Sequence, residues 1–282
     1  MQRLDLNTFN HNCRIKTTPC KSDYKTVIKK ESLIYENNNL VCAYVKLPNT
    51  IKKKLEQILH TTKPSKNQRT WGLPQKSSVF GTLPRNAIRH DYCRFTSHSK
   101  TELQNHKTAF LISEYISNLY KKYFPNQFVE HKNWVKNNIH KDWVTSNESP
   151  FTTINYNINH AIKYHYDKAN LNNTISNVCI LKKGVIGGKL VIPRYDLALS
   201  MDDGFIAFFD GRNIIHGVEP IKKYMNDAYR ASIVFYTLQS LRQCFNCKNE
   251  NIRFKKIKTK RALERALGNK KLLSQLKKGK KE

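Results

Sequence analysis

The sequence predicts an α+β protein with a jelly-roll core, flanking helices and a basic C-terminal tail. Three observations carry this. Five short β-branched or aromatic stretches follow one another between residues 151 and 238, punctuated by Gly, Pro and Asp-Asp-Gly, with no helical pattern between them. That arrangement suits a sandwich or barrel. A long helical pattern precedes them at residues 97–125. Residues 251–282 follow them with thirteen Lys+Arg against two Glu, a net of +11.

In chain order, residues 1–68 form a basic N-terminal extension expected to pack on the core. Within it, "LIYENNNLVCAYVKL" predicts strand, polar turn and strand. "PNTIKKKLEQILHTT" predicts a short helix capped by Asn49 or Thr50. "TKPSKNQRTWGLPQKSS" is dense in Pro, Ser and Lys and predicts a loop. Residues 69–245 form the main domain. Its helix carries a Ser99/Glu102 capping-box pattern and apolar Leu103, Phe110, Ile112, Ile116, Leu119 and Tyr120 near one face, and Pro125 ends it. The strands are "FTTINYNIN", "NVCILKK", "GGKLVIP", "GFIAFFD" and "RASIVFYTL". Residues 246–282 are a basic tail, either a solvated disordered arm or a helix that lies on nucleic acid; an arm that folds on binding is both.

The 282 residues are 39% hydrophobic and 11% aromatic, enough for a sizeable core. Fifty Lys+Arg against 21 Asp+Glu give a formal charge of +29. A polyanion is the expected partner, DNA or RNA, with an anionic membrane surface as the rival. No apolar run is long enough to span a bilayer. The N-terminus "MQRLDLNTFNHNC" lacks an apolar signal core, so the protein is expected not to be secreted. Seven scattered cysteines fit a reducing compartment. Cys244 and Cys247 form one C-x-x-C that, with Cys13 and Cys20, has the residue types for structural zinc; free thiols are the simpler expectation. "GVIGGK" lacks the ending of a P-loop and precedes a strand, so it is no phosphate loop.

The chemistry gathers around "KYHYDKAN". His165 and Asp167 lie two apart, on one face if the segment is extended. Alone, the pair reads equally as two surface residues. His216 in "GRNIIHGVEP" follows 49 residues after Asp167, and Arg230 in "YRASIVFYT" 14 residues after that. Two histidines and a carboxylate make the facial triad of non-haem Fe(II) oxygenases. A buried Arg230 suits a bidentate grip on a co-substrate carboxylate, and Ser232 faces the same way. Gly187 and Gly188 suit a tight turn or a close backbone approach.

H-x-D, G-G-x-L, "DGFIAFFDG", H-G-V and R-x-S in this order resemble the Fe(II)/2-oxoglutarate-dependent dioxygenases, and more narrowly the TET/JBP branch, over about residues 69–240. The resemblance implies a double-stranded β-helix. It implies Fe(II) on His165, Asp167 and His216, with 2-oxoglutarate and dioxygen as co-substrates. Arg230 and Ser232 would hold 2-oxoglutarate, and Arg89, in "LPRNAIRHDYCRFT", is the best upstream candidate for a co-substrate or DNA contact. Asn170 falls where TET enzymes place a polar residue against the flipped base. Where those enzymes carry a base-reading histidine, this chain has Leu238, which leaves thymine and 5-methylcytosine both open as substrates. The implied activity is hydroxylation of the 5-methyl group of a pyrimidine in duplex DNA, on a base flipped out of the helix. The alternatives are an AlkB-type demethylase, an RNA or protein hydroxylase, or a non-catalytic basic jelly-roll that binds nucleic acid. Tyr92, Phe95, Tyr156 and Tyr164 are candidate stacking partners for an extruded base. A monomer is expected, placed wherever the genome is: the nucleus in a eukaryote, otherwise the cytoplasm or the site of the genome in a host cell.

Overall fold

Residues 1–8, 15–67, 75–86 and 91–278 are described by a computed structural model, with backbone alone at 66, 67, 75 and 269–278. In chain order the elements are β1 (Gln2–Asp5), β2 (Thr26–Ile28), β3 (Ser32–Glu36), β4 (Asn39–Lys46), α1 (Asn49–Thr61), β5 (Ser65–Asn67), β6 (Gln75–Leu83) and β7 (Arg94–Phe95). Then come α2 (Ser97–Thr101), α3 (Leu103–Tyr123), α4 (Pro125–Asn138), β8 (Thr153–Ile158), β9 (Ser176–Lys183), β10 (Val185–Gly187), β11 (Leu190–Ile192) and β12 (Leu197–Leu199). The last are β13 (Phe205–Phe209), β14 (Gly217–Val218), β15 (Ile221–Lys223), β16 (Tyr229–Tyr236) and α5 (Cys247–Lys278).

The major sheet runs β1-β3-β4-β13-β9-β16-β8-β6-β5, with β7 paired to β6. A smaller sheet runs β14-β11-β12-β2, and β10 pairs with β15. Helices α1, α3 and α4 cover one face of the major sheet, and the smaller sheet covers the other. This is a double-stranded β-helix with helices added outside.

The strands are buried on both faces, so their period-2 alternation divides two kinds of apolar or polar environment rather than inside from outside. On β16, Ala231, Ile233 and Phe235 point into the helix-side core with Ile116, Tyr120 and Phe128. Arg230, Ser232, Val234 and Tyr236 point the other way, into a cavity between the sheets. On β13, Ile206 and Phe208 join the helix-side core while Ala207 and Phe209 join Ile180, Leu190, Leu197 and Leu199 between the sheets. Register pins this: Ser232 lies opposite both Asn157 of β8 and Ile180 of β9. A one-residue slip of β16 would exchange its cavity face for its core face.

Several expectations are corrected. The predicted loop at 62–78 contains β5 and the start of β6; its Ser- and Lys-rich sequence has weak strand propensity, but β8 supplies a full ladder from Lys76 to Gly81. The predicted helix over 97–125 is broken at Glu102, whose backbone leaves the helical region, giving α2 and α3. Its N-cap is Thr96, which accepts from the Ser99 amide at 3.1 Å. Ser99 Oγ instead accepts from the Gly81 amide at 2.7 Å. Pro125 begins an unforeseen helix, α4, at a first-turn position where its missing N–H costs nothing. Residues 247–278 form one helix, α5. Cys244 is not a free thiol but is bonded to Cys93, 151 residues away, at a Cα–Cα distance of 5.8 Å. Nothing in a sequence marks a partner that distant. The pairing removes Cys244 from the zinc reading, and Cys13 lies outside the described residues.

Candidate functional site

Two extended segments cross at one end of the sandwich and bring the H-x-D motif to the H-G-V motif. The His165 amide donates to the His216 carbonyl at 3.0 Å, and the His216 amide to the His165 carbonyl at 3.1 Å. Asp167 is fixed by its amide to the Gly211 carbonyl at 2.8 Å. A side chain at Gly211 would reach within 2.8 Å of Asp167 Oδ2, so the glycine of "FFDG" makes room for the carboxylate. Behind the pair, Tyr164 Oη donates to Asp23 at 2.8 Å, and Pro19 lies against Gly217. The N-terminal segment thereby backs both histidine-bearing segments.

Ligand atoms of His165, Asp167 and His216 all lie within 4.8 Å of one another, and they form the only such group of three among the described residues. His165 Nε2 is 3.5 Å from Asp167 Oδ1, and His216 Nε2 is 3.9 Å from Oδ2. Each Nδ1 faces a backbone carbonyl, His165 that of Lys163 at 2.8 Å and His216 that of Ile214 at 3.0 Å. An Nδ1–H donated outward leaves each Nε2 lone pair aimed inward, the tautomer a metal requires. Burial pulls His216 down to about 4, against the attraction of Asp167, so its ring is neutral at physiological pH. Burial opposes ionisation of Asp167, but its interactions with His165, His216 and the Ser176 hydroxyl outweigh it and hold its carboxyl below the ordinary range. Two imidazoles and a carboxylate fit a divalent iron, the donor set of the facial triad.

These residues line a cavity of about 260 Å³ between the sheets. Arg230, only 1% exposed, lines the same cavity. Its backbone is held by Asn159, whose Oδ1 accepts from the Arg230 amide at 2.8 Å. Burial lowers its guanidinium to about 10, still charged at neutral pH, and its Nε meets no hydrogen-bond partner among the described residues. A buried cation so placed calls for an anionic ligand. Ser232 is on the same face of β16, two residues on. Gly188, at φ +71°, packs against the Arg230 side chain; a Cβ there would sit 2.7 Å from Cδ and 2.8 Å from Nε.

Asn170 and Leu238 form a backbone bridge on the cavity wall. Asn170 Nδ2 donates to Ser176 Oγ at 3.3 Å, and Ser176 Oγ donates to Asp167 Oδ2 at 3.2 Å, so a polar chain runs from that bridge to the triad. Arg212 donates to the carbonyls of Lys168 and Asn170 and clamps the loop between them. Arg89 lies outside the described residues.

Of the aromatic candidates, none lines the cavity. Tyr156 and Tyr164 are buried elsewhere, Tyr92 packs on Phe254 with centroids 4.6 Å apart, and Phe95 packs on Trp143. The aromatic side chains of the cavity are Phe209 and Tyr236. Sequence reasoning missed Tyr236, though it lies six residues after Arg230 and therefore on the same strand face. It also missed Asn155 and Asn157, whose alternation with Ile154 and Tyr156 marks a polar face on an otherwise apolar strand.

A facial triad at the end of a double-stranded β-helix, facing a buried arginine, defines a 2-oxoglutarate-type oxygenase site. Residues 84–239, over half the chain, match the Tet_JBP family, the oxygenase domain of the 2OGFeDO superfamily, and the chain belongs to it. It is an Fe(II)/2-oxoglutarate-dependent oxygenase. No curated protein sequence matches. Among solved structures, NgTET1 in complex with 5mC DNA is similar over 87% of this chain and 91% of that one, with a TM-score of 0.58 and 16% identity, a likeness of fold. OsALKBH1 aligns over 70% of this chain and 97% of that one, with a TM-score of 0.40 and 9% identity. A Pseudomonas putida prolyl-4-hydroxylase aligns over 70% and 92%, with a TM-score of 0.38 and 11% identity.

Proposed function

We propose that this oxygenase hydroxylates the 5-methyl group of a pyrimidine, thymine or 5-methylcytosine, in DNA. The observation that carries the reading is the cavity itself, lined by the triad, buried Arg230, and the adjoining Asn170 and Leu238. About 260 Å³ excludes a duplex but admits one ring turned out of the stack. A net charge of +29 supplies a sequence-independent hold on the phosphates. The similar fold of NgTET1, seen with 5mC DNA, supports the same reading.

In this mechanism His165 Nε2, His216 Nε2 and an Asp167 oxygen would hold Fe(II), and Arg230 with Ser232 would hold the distal carboxylate of 2-oxoglutarate. When bound, the iron with 2-oxoglutarate and dioxygen supplies the oxidising power that turns a methyl into a hydroxymethyl group. The chain's own part is placement. Outward-donating Nδ1 atoms fix the two imidazoles. Arg230 orients the co-substrate against the triad. Tyr236 offers a face for the extruded base, and Asn170 an amide for its edge. Leu238 makes no hydrogen bond to either base, so the 4-position of the pyrimidine is not read there.

The test is nucleoside mass spectrometry after incubation with Fe(II), 2-oxoglutarate and duplex DNA carrying both bases, with His165→Ala as control. A hydroxymethyl pyrimidine absent from the control and from chelator-treated protein is expected, and its mass names the base. Succinate release without any oxidised base on DNA, but with one on RNA or a protein, would refute DNA as the substrate.

A further inference from the structure

The catalytic site leaves the longest element unexplained. Helix α5 spans 32 residues, about 48 Å at 1.5 Å per residue. Its root is bolted to the domain. Glu250, 1% exposed, accepts from the Cys93 amide at 2.8 Å and the Phe245 amide at 3.0 Å, and pairs with Arg85. Arg253 donates to the Asp91 carbonyl, Phe254 packs on Tyr92, and the Cys93–Cys244 disulfide ties the segment before the helix to the same stretch of residues 91–93. Trp143 Nε1 donates to the Phe245 carbonyl at 2.6 Å. Residues 247, 250, 253, 254, 257 and 261 are the ones turned toward the body, one helical face. From 262 to 268 every residue is exposed. A root this fixed aims the helix rather than leaving it a floating tail.

On the solvent side, Lys248, Lys255, Lys258 and Arg265 are all exposed. Their spacings of 7, 3 and 7 place them on one stripe about 25 Å long. Glu264 is the only acid among the exposed residues from 247 to 268, and Lys260 pairs with it. Lys256 and Lys260 lie across exposed Ile252 and Leu263 from that stripe, so charge borders the free face on both sides. A helix that lies on a membrane keeps a continuous apolar face, but among the described side chains of α5 only Ile252, Leu263 and Leu267 are large, apolar and exposed, and Lys256 and Thr259 interrupt the face between the first two. The root also adjoins the catalytic cavity, because Leu238 both lines that cavity and packs against the cluster of Leu241, Cys244 and Cys247.

We infer that α5 is a second nucleic-acid-binding element: a rigid cationic arm whose Lys248, Lys255, Lys258 and Arg265 stripe lies along the phosphates of the duplex that presents its base to the cavity. The identity of the duplex rests on the function proposed above. The arm adds affinity and no chemistry.

The test uses the full chain with Lys248→Gln, Lys255→Gln, Lys258→Gln and Arg265→Gln combined, since glutamine keeps helix propensity. A matched control neutralises the exposed Lys53, Lys54, Lys121 and Lys122 of α1 and α3. Anisotropy with a 24-base-pair duplex is followed against salt, and circular dichroism confirms the helix. Four lost phosphate contacts should make the slope of log Kobs against log salt shallower by about 3–4. The control should change it by less than 1. Equal slopes for both variants, or an unchanged slope in the arm variant, would overturn the arm. Loss of binding to phosphatidylserine vesicles with an unchanged duplex slope would likewise overturn it in favour of a membrane surface. Turnover at saturating duplex is read separately. An arm effect in a protein that oxidises no DNA base keeps the arm and removes the proposed substrate, whereas oxidation with no arm effect does the reverse.

Discussion

Gly188→Ala puts one methyl group against the residue assigned to 2-oxoglutarate. The new Cβ would lie 2.7 Å from Arg230 Cδ and 2.8 Å from Nε, and 3.3 Å from Ile221 Cγ1. Arg230 is 1% exposed and has no free space to retreat into without leaving its place on the cavity wall. The expected loss is the charge-assisted contact to the co-substrate carboxylate, about 1.5–3 kcal/mol. That corresponds to a rise of roughly 10- to 150-fold in the dissociation constant of 2-oxoglutarate. The backbone at φ +71° adds about 1–2 kcal/mol of strain to the fold. Gly184→Ala separates the two effects, because Gly184 is also at positive φ, +62°, but faces the side chain of Met225. Calorimetric titration with 2-oxoglutarate and Fe(II) under anaerobic conditions is the assay, alongside urea unfolding. If Gly188→Ala and Gly184→Ala lose similar stability and both keep 2-oxoglutarate affinity within twofold of the parent, Arg230 is not the co-substrate anchor.

Three further outcomes are expected. His131 is 2% exposed between Tyr120 and Phe151, neither ring nitrogen has a partner among the described residues, and burial holds it down to about 3. The unfolded chain therefore binds a proton there that the native protein does not, below an unfolded value of about 6.5. Stability should fall with pH by about 1.4 kcal/mol per unit from this group, roughly 2–3 kcal/mol at pH 4.5. His131→Phe should flatten the acid limb of the stability curve in urea titrations by that amount, and an unchanged limb would refute it. Glu250→Ala leaves Arg85 and two amides without their acceptor and should cost about 3–5 kcal/mol, read as a lower urea midpoint; a loss under 1 kcal/mol would show that the root of α5 is held otherwise. Leu238→His sets a donor and acceptor on the cavity wall and should favour 5-methylcytosine over thymine by roughly fivefold, about 1 kcal/mol, in competition on one duplex. No change in that ratio would remove Leu238 from base selection.

The triad was legible because its spacing is short where it matters and its residue types are rare in combination. His165 and Asp167 are two apart, and the third residue stands in its own H-G-V motif 49 residues on. Arg230 was legible because an arginine amid "ASIVFY" has no reason to be there unless an anion meets it. The helix break at Glu102 was hidden because the apolar period continues through it. Helix α4 was hidden behind Pro125, which ends one helix and can equally begin another. His131 looked like an ordinary polar residue on such a helix; only the packing of Tyr120, Phe128 and Phe151 around it makes it a buried base.

By itself, then, the sequence determined the strand-rich core, the set of His165, Asp167, His216 and Arg230 that meets at one cavity, and the excess of positive charge, since each is written in local period, spacing or composition. Tertiary structure alone decided which face of β16 meets the cavity, that Asn170 and Leu238 stand side by side, that Cys93 bonds to Cys244, and that a basic tail becomes an anchored helix. Those are contacts between residues up to 151 positions apart. Their energy comes from burial and pairing that exist only once the two sheets and their helices have closed on one another.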